Sequence, residues 1–258
     1  MINIRYIIPL MALFLTFCSQ EEDTTKTEYP DILFRTEEID QEADIFIISD
    51  QMSFSSDTSP DIRVQATFRN INNKSVYAFV NSFLINDVVI NPFSLGNKKY
   101  YSNNNIVTQV FGNTIDVEVI GNSNFPTFAR PAMTLPKLIK LQPLPYTLSR
   151  TQNFTLNWNA DSGNSEDVLI IFWYKGEKSH DIDPSLPIED KTVIITANDT
   201  GSYTVNSSNF SDFPINGLVD VIILRGRQEV ITVDAEDEIE VIVHAATLSY
   251  SDELKVIN

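Results

Sequence analysis

An all-β fold is what this 258-residue sequence predicts, and three features carry the expectation. Apolar and polar residues alternate with period two in several short runs. Turn-forming clusters recur about every 10–15 residues. No long helix-period segment follows the N-terminal apolar stretch. The expected architecture is two antiparallel β-sandwich domains, at 43–140 and 141–258. A leader at 1–17 and an acidic tether at 18–42 precede them. An apolar fraction of 43% is enough for packed cores, and the length suffices for two of them.

The elements can be taken in order. From Glu21 to Asp44 there are ten acidic and two basic residues, without a strong apolar period at the start, which reads as a solvated tether. Thr36 to Asp44 is expected to form a short helical turn. Ala43–Ser49 is apolar and β-branched. Ile62, Val64, Ala66 and Phe68 alternate with Arg63, Gln65, Thr67 and Arg69, which predicts a strand with one face in the core. Asn70 to Asn73 is a turn cluster. Val76–Ile85 is apolar on both faces and is expected to be a central strand. Asn86-Asp87 turns the chain into Val88–Ile90. Ile106–Phe111 and Ile115–Ile120 read as a hairpin around Gly112-Asn113. Five prolines then fall between Pro126 and Pro145. Proline cannot donate to a central ladder, so this stretch reads as an edge or linker, with the domain boundary near Leu135–Pro145.

Strands resume beyond it. Phe154, Leu156 and Trp158 alternate with polar residues, and Val168–Tyr174 is continuously apolar and expected to be buried. Thr192–Thr196, Ser202–Val205, Leu218–Leu224, Glu229–Val233 and Ile239–Leu248 follow, with Arg225 to Gln228 expected as a turn. The Trp158 strand, the Val168–Tyr174 strand and the Leu218–Leu224 strand make this half resemble immunoglobulin-like or fibronectin-type sandwiches. The resemblance implies an architecture and selects no family.

Charge and cysteine usage narrow the partners. A formal net charge of −17 repels nucleic acid phosphates and opposes adsorption on anionic lipid. The only cysteine is Cys18, so no disulfide can form within the chain. It closes a leader with Arg5 near its start and about 12 mostly apolar residues from Tyr6 to Phe17, which is short of the roughly 20 that span a bilayer. Leu15-Thr16-Phe17-Cys18 resembles the lipobox of bacterial lipoproteins, although Phe17 stands where that pattern usually has Gly, Ala or Ser. The resemblance implies that Cys18 is lipidated and becomes the mature N-terminus. The acidic run Glu21-Glu22-Asp23 just after it resembles the surface-export signal of lipoproteins in the Bacteroidota. Together these imply an outer-membrane location, lipid-anchored, with surface exposure as a further expectation.

Chemistry-bearing residues are sparse. There is no G-x-S-x-G elbow, and His180 and His244 are the only histidines, so no catalytic set is expected. Asp161, Glu166 and Asp167 lie in an oxygen-rich loop that could take Ca²⁺ if it folded onto itself, but the EF-hand glycine and distal Glu are absent. Asp234 to Glu238 is a second acidic loop, and Ser179-His180-Asp181 with Asp183 is a weak zinc candidate. Tyr100, Tyr101, Phe125 and Phe128 lie in loop-like stretches and are the candidates for stacking on sugar faces. Trp158 and Trp173 sit on buried-pattern strands and read as core. The expected function is therefore a non-enzymatic, lipid-anchored envelope or cell-surface protein that binds a glycan or a protein partner. The alternative is a structural or accessory subunit of an outer-membrane or pilus-like assembly, which would need an exposed edge strand or a donor strand.

Overall fold

The computed structural model describes residues 43–52, 61–95, 98–103, 110–234 and 239–258. Cys18, the leader and the tether lie outside the described residues, as do Ile106–Gln109 and the acidic loop 235–238. The fold is all-β. In chain order the strands are β1 (Ala43–Met52), β2 (Asp61–Asn70), β3 (Asn73–Ala78), β4 (Ser82–Ile85), β5 (Val88–Val89), β6 (Asn91–Leu95), β7 (Lys98–Asn103), β8 (Thr114–Ile120) and β9 (Phe128–Thr134). The second half holds β10 (Thr147–Ser149), β11 (Phe154–Asn157), β12 (Val168–Tyr174), the short helix α1 (Gly176–Ile182), β13 (Lys191–Ala197), β14 (Ser202–Val205), β15 (Leu218–Asp234) and β16 (Ile239–Ile257).

A ten-stranded sheet runs in the order β13-β12-β15-β16-β1-β2-β7-β6, with β10 also beside β16 and β3 also beside β2. A four-stranded sheet, β5-β4-β8-β9, and a two-stranded sheet, β11-β14, complete the set. The expectation of purely antiparallel pairing is corrected at two places. β1 runs parallel to β16 from Ala43 opposite Val241 to Met52 opposite Tyr250, and β10 runs parallel to the end of β16. One side of β16 is taken by its hairpin partner β15. The other side is left for strands from the beginning and middle of the chain.

Two cores result. The first lies between the large sheet and the four-stranded sheet, and Phe68 is central to it. Its ring meets those of Phe83, Tyr101 and Phe125 edge-on at centroid distances of 5.6, 5.4 and 5.1 Å, a geometry that aligns ring edges with ring faces. The second core gathers Leu156, Trp158, Ile170, Phe172, Phe210, Val221 and Ile223. Along the chain, core membership passes from Leu135 to Ile139, inside the proline-rich stretch. The long hairpin of β15 and β16 is shared between the two cores. Ile231, Ile239, Val241, Val243 and Ala245 belong to the first core, while Val219, Val221, Leu254 and Val256 belong to the second. The β15–β16 hairpin therefore threads both.

Two local expectations are also overturned. Arg225 to Gln228 form no turn; they continue β15, paired with Thr247 to His244 of β16. Val76–Ile85 is not one strand. It breaks after Ala78, with β3 in the large sheet and β4 in the small one. The hydroxyl of Tyr101 fixes this crossing, since it accepts from Val80 N–H and donates to Val80 O, both at 2.8 Å. β8 pairs with β4 and β9, while Ile106–Gln109 of the expected hairpin lie outside the described residues. Gly112 has φ +83° and its N–H reaches the carbonyls of Leu135 and Pro136, so a side chain there would be strained.

Candidate functional site

A groove lies on the outer face of the four-stranded sheet. Along β8, Ile115, Val117 and Val119 point into the first core, which turns Asp116 and Glu118 outward. Leu84 of β4 lies on that outer face beside Glu118, its register partner. Asn86 and Asp87 have φ of +47° and +64°, as a two-residue hairpin turn of the primed kind requires. Asn86 N–H donates to Asp116 O at 3.0 Å, and Asn86 Oδ1 accepts from Asp116 N–H at 2.8 Å. These bonds fold the turn over β8 and wall off a groove of about 310 Å³. Leu84, Asp87, Asp116, Glu118, Ala129 and Arg130 line it. Arg130 Nη1 donates to Thr232 O at 2.9 Å, so the rim is tied to β15. Three carboxylates face one guanidinium, and the groove is negative and open. Val88 and Val89 of β5 are exposed next to the turn. Sequence reading missed this site because its residues come from three strands that only the fold brings together.

The expected sugar-stacking residues are corrected by burial. Tyr101, Phe125 and Phe128 are 2%, 0% and 6% exposed, and all three belong to the first core. Their ring faces are covered, so they cannot stack on a sugar. Tyr100 lies on β7 opposite Phe93, in a strand and not in a loop. Trp158 and Trp173 are buried, and each indole N–H is satisfied by a carboxylate, Asp199 and Asp190 respectively.

The loop at Asp161, Glu166 and Asp167 is also corrected. Asp161 is buried, and its oxygens accept from the backbone N–H of Lys137 at 2.9 Å and of Gly163 at 3.1 Å. Burial pushes this carboxyl up, but those two bonds and the nearby Arg225 and Lys137 charges outweigh it and hold it below the usual range. Its lone pairs thus brace the proline-rich crossing. Among the described residues no group of three or more His, Cys, Asp or Glu side chains is placed to hold a metal ion. His180 Nδ1–H donates to Leu186 O at 2.8 Å, and Asp183 accepts from Ser185. His180 and Asp183 are thus tied to their own loop, while Ser179 Oγ accepts from Leu218 N–H of β15 at 3.0 Å. His244 is buried in β16.

Two buried ion pairs were not foreseen. Arg225 is fully buried between the cores. Its Nε donates to Asp199 Oδ2 at 2.5 Å and its Nη2 to Asp199 Oδ1 at 2.9 Å. The carbonyls of Lys137 and Asn159 take further guanidinium hydrogens at 2.8 and 2.6 Å. Asp199 also accepts from Trp158 Nε1 and Asn164 Nδ2. Burial raises its pKa, but Arg225 and the other donors outweigh that and leave it below the ordinary value. The second pair is Lys175 with Asp220, Nζ to Oδ2 at 2.5 Å, at a bulge in β15. Asp220 Oδ1 accepts from Glu253 N–H at 3.0 Å. Here burial prevails over Lys175, and the carboxyl is raised. Both pairs lie in packed structure and act as braces.

These features define an all-β protein in which two cores share one long hairpin. No family model, no curated protein and no solved structure matches the chain.

Proposed function

We propose that this is a lipid-anchored envelope or cell-surface binding protein, held at the outer membrane through Cys18, whose partner is a protein. The observation that carries the choice of partner is the groove on the outer face of the four-stranded sheet. It is open and negative, with Leu84 and Ala129 beside Asp116 and Glu118 and the exposed Val88 and Val89 nearby. Such a surface suits a partner that brings basic groups together with an apolar contact. A glycan reading loses support with the burial of Tyr101, Phe125 and Phe128. The Cys18 lipobox resemblance supports the anchor, and the acidic residues that follow it support exposure to the outside.

The test places a photo-reactive amino acid at Glu118 of the full chain, or at the exposed Tyr146 as a control, in intact bacteria. Irradiation is expected to give one protein adduct from position 118 and none from 146. That adduct should sediment with membranes and leave them in Cys18→Ala. Equal labelling from both positions, or none from either, removes the groove. An adduct that stays with the membrane in Cys18→Ala removes the anchor.

A further inference from the structure

We infer that β13 is a pairing edge for a second copy of this chain. It ends the ten-stranded sheet and pairs with β12 along its whole length, Lys191 opposite Tyr174 through Ala197 opposite Val168, with no irregularity. On its other side it has no strand partner, and no other backbone bond reaches it among the described residues. Among the described residues a row of its N–H and C=O groups is therefore left open, which is a template for strand addition. Edges of this kind are normally blunted by proline, by a bulge or by charge. β13 has no proline and no bulge, and its one charge, Lys191 Nζ, is turned onto Asp212 O at 2.8 Å.

Its sequence singles out the occupant. Thr192-Val193-Ile194-Ile195-Thr196 is nearly symmetric about Ile194. Antiparallel pairing about a two-fold axis at Ile194 sets Val193 opposite the second copy's Ile195, and Thr192 opposite its Thr196. Pairs of β-branched residues and of threonines are favourable across antiparallel strands. The chain already uses such threonine pairs within itself. Thr155 meets Thr204 at 2.9 Å and Thr114 meets Thr134 at 2.8 Å, each across register partners. The same register places Lys191 opposite Ala197 and Asp190 opposite Asn198. Glu189 comes opposite Asp199, whose carboxylate is turned inward onto Arg225. The large negative net charge is thus not focused on this edge. A seven-residue strand makes a small contact, so the pairing is weak in solution and favoured where a membrane raises local concentration. This contact is independent of the groove and would supply the accessory-subunit reading with its interface.

The test uses the full chain with Thr192→Cys and Thr196→Cys together. These two positions on one strand are too far apart to bridge each other, but each faces the other across the two-fold. Mild oxidation is expected to give a covalent dimer well above the background from the native chain, whereas Thr192→Cys alone gives none above it. Thr192→Lys with Thr196→Lys sets like charges opposite each other. It should weaken self-association in sedimentation equilibrium about tenfold, with an unchanged melting temperature. Equal cross-linking by the single and double cysteine variants overturns the pairing. So does a native chain that stays monomeric at the highest concentration reached, or a dimer that the two lysines leave unaffected.

Discussion

The two buried ion pairs invite comparison, because each joins one Asp to one cation and they respond to burial in opposite ways. The Asp199 side chain is 2% exposed and so is that of Asp220. Yet Asp199 sits below the ordinary carboxylate value and Asp220 above it. Two things differ: Asp220 lies deeper in the protein and so meets more desolvation, and it has fewer donors. Asp199 receives two bonds from a planar guanidinium, one from the Trp158 indole and one from the Asn164 amide. Asp220 receives one ammonium and one backbone N–H. Burial penalises both carboxylates, and only full use of the lone pairs offsets it. Arg suits the first site because its fork matches a carboxylate and still leaves hydrogens for the carbonyls of Lys137 and Asn159.

The comparison is sharpened most by removing the better-satisfied cation. Arg225→Met leaves Asp199 buried without its counter-charge and strips two carbonyls of their donor. It is expected to destabilise by about 3–5 kcal/mol in urea denaturation. A loss below about 1 kcal/mol would break the contrast, since the pair would then count for no more than a surface one.

Asp220→Asn should cost far less, about 1 kcal/mol in the same measurement. Asparagine keeps an acceptor for Glu253 N–H, and Lys175, at 12% side-chain exposure, can turn its ammonium to water. A loss as large as that of Arg225→Met would show the two sites to be equivalent.

The smallest effect is in pH dependence, and its sign differs between the sites. The folded-state pKa of Asp199 is below the ordinary 3.8, so its contribution is complete above that value and is lost as pH falls through the folded value. The folded-state pKa of Asp220 is above 3.8, so its contribution is complete below that value and is lost as pH rises through the folded value. Urea midpoints followed across the acid range should therefore decline less on the acid side in Asp199→Asn. They should decline less toward neutrality in Asp220→Asn. Parallel profiles for the two variants would refute the opposite shifts.

How much of this was legible in the sequence depends on how far apart the partners lie. The alternation in β2 is local, and it reported both the strand and its buried face. So did the turn at Asn86-Asp87. Arg225 was read as part of a turn because a charged residue between apolar runs carries no sign that Asp199, 26 residues earlier, will meet it. Tyr101 was read as a loop residue because lysines and asparagines flank it. Its hydroxyl partner is Val80, 21 residues away. The groove depends on a hairpin turn bonded to a third strand, a relation no period records. The parallel seam between β1 and β16 joins opposite ends of the chain and leaves no trace in any short window.

That seam has a consequence for how the molecule is made. β16 lies inside the large sheet, supplies side chains to both cores and is the last strand in sequence. Neither core can close before it arrives. A polypeptide that leaves a ribosome or crosses a membrane N-terminus first thus stays slack until β16 is free. The closing contacts then span nearly the whole chain, which makes for a slow and all-or-none last step. Loss of β16 as a whole should therefore cost both cores together, although most of their residues lie far upstream.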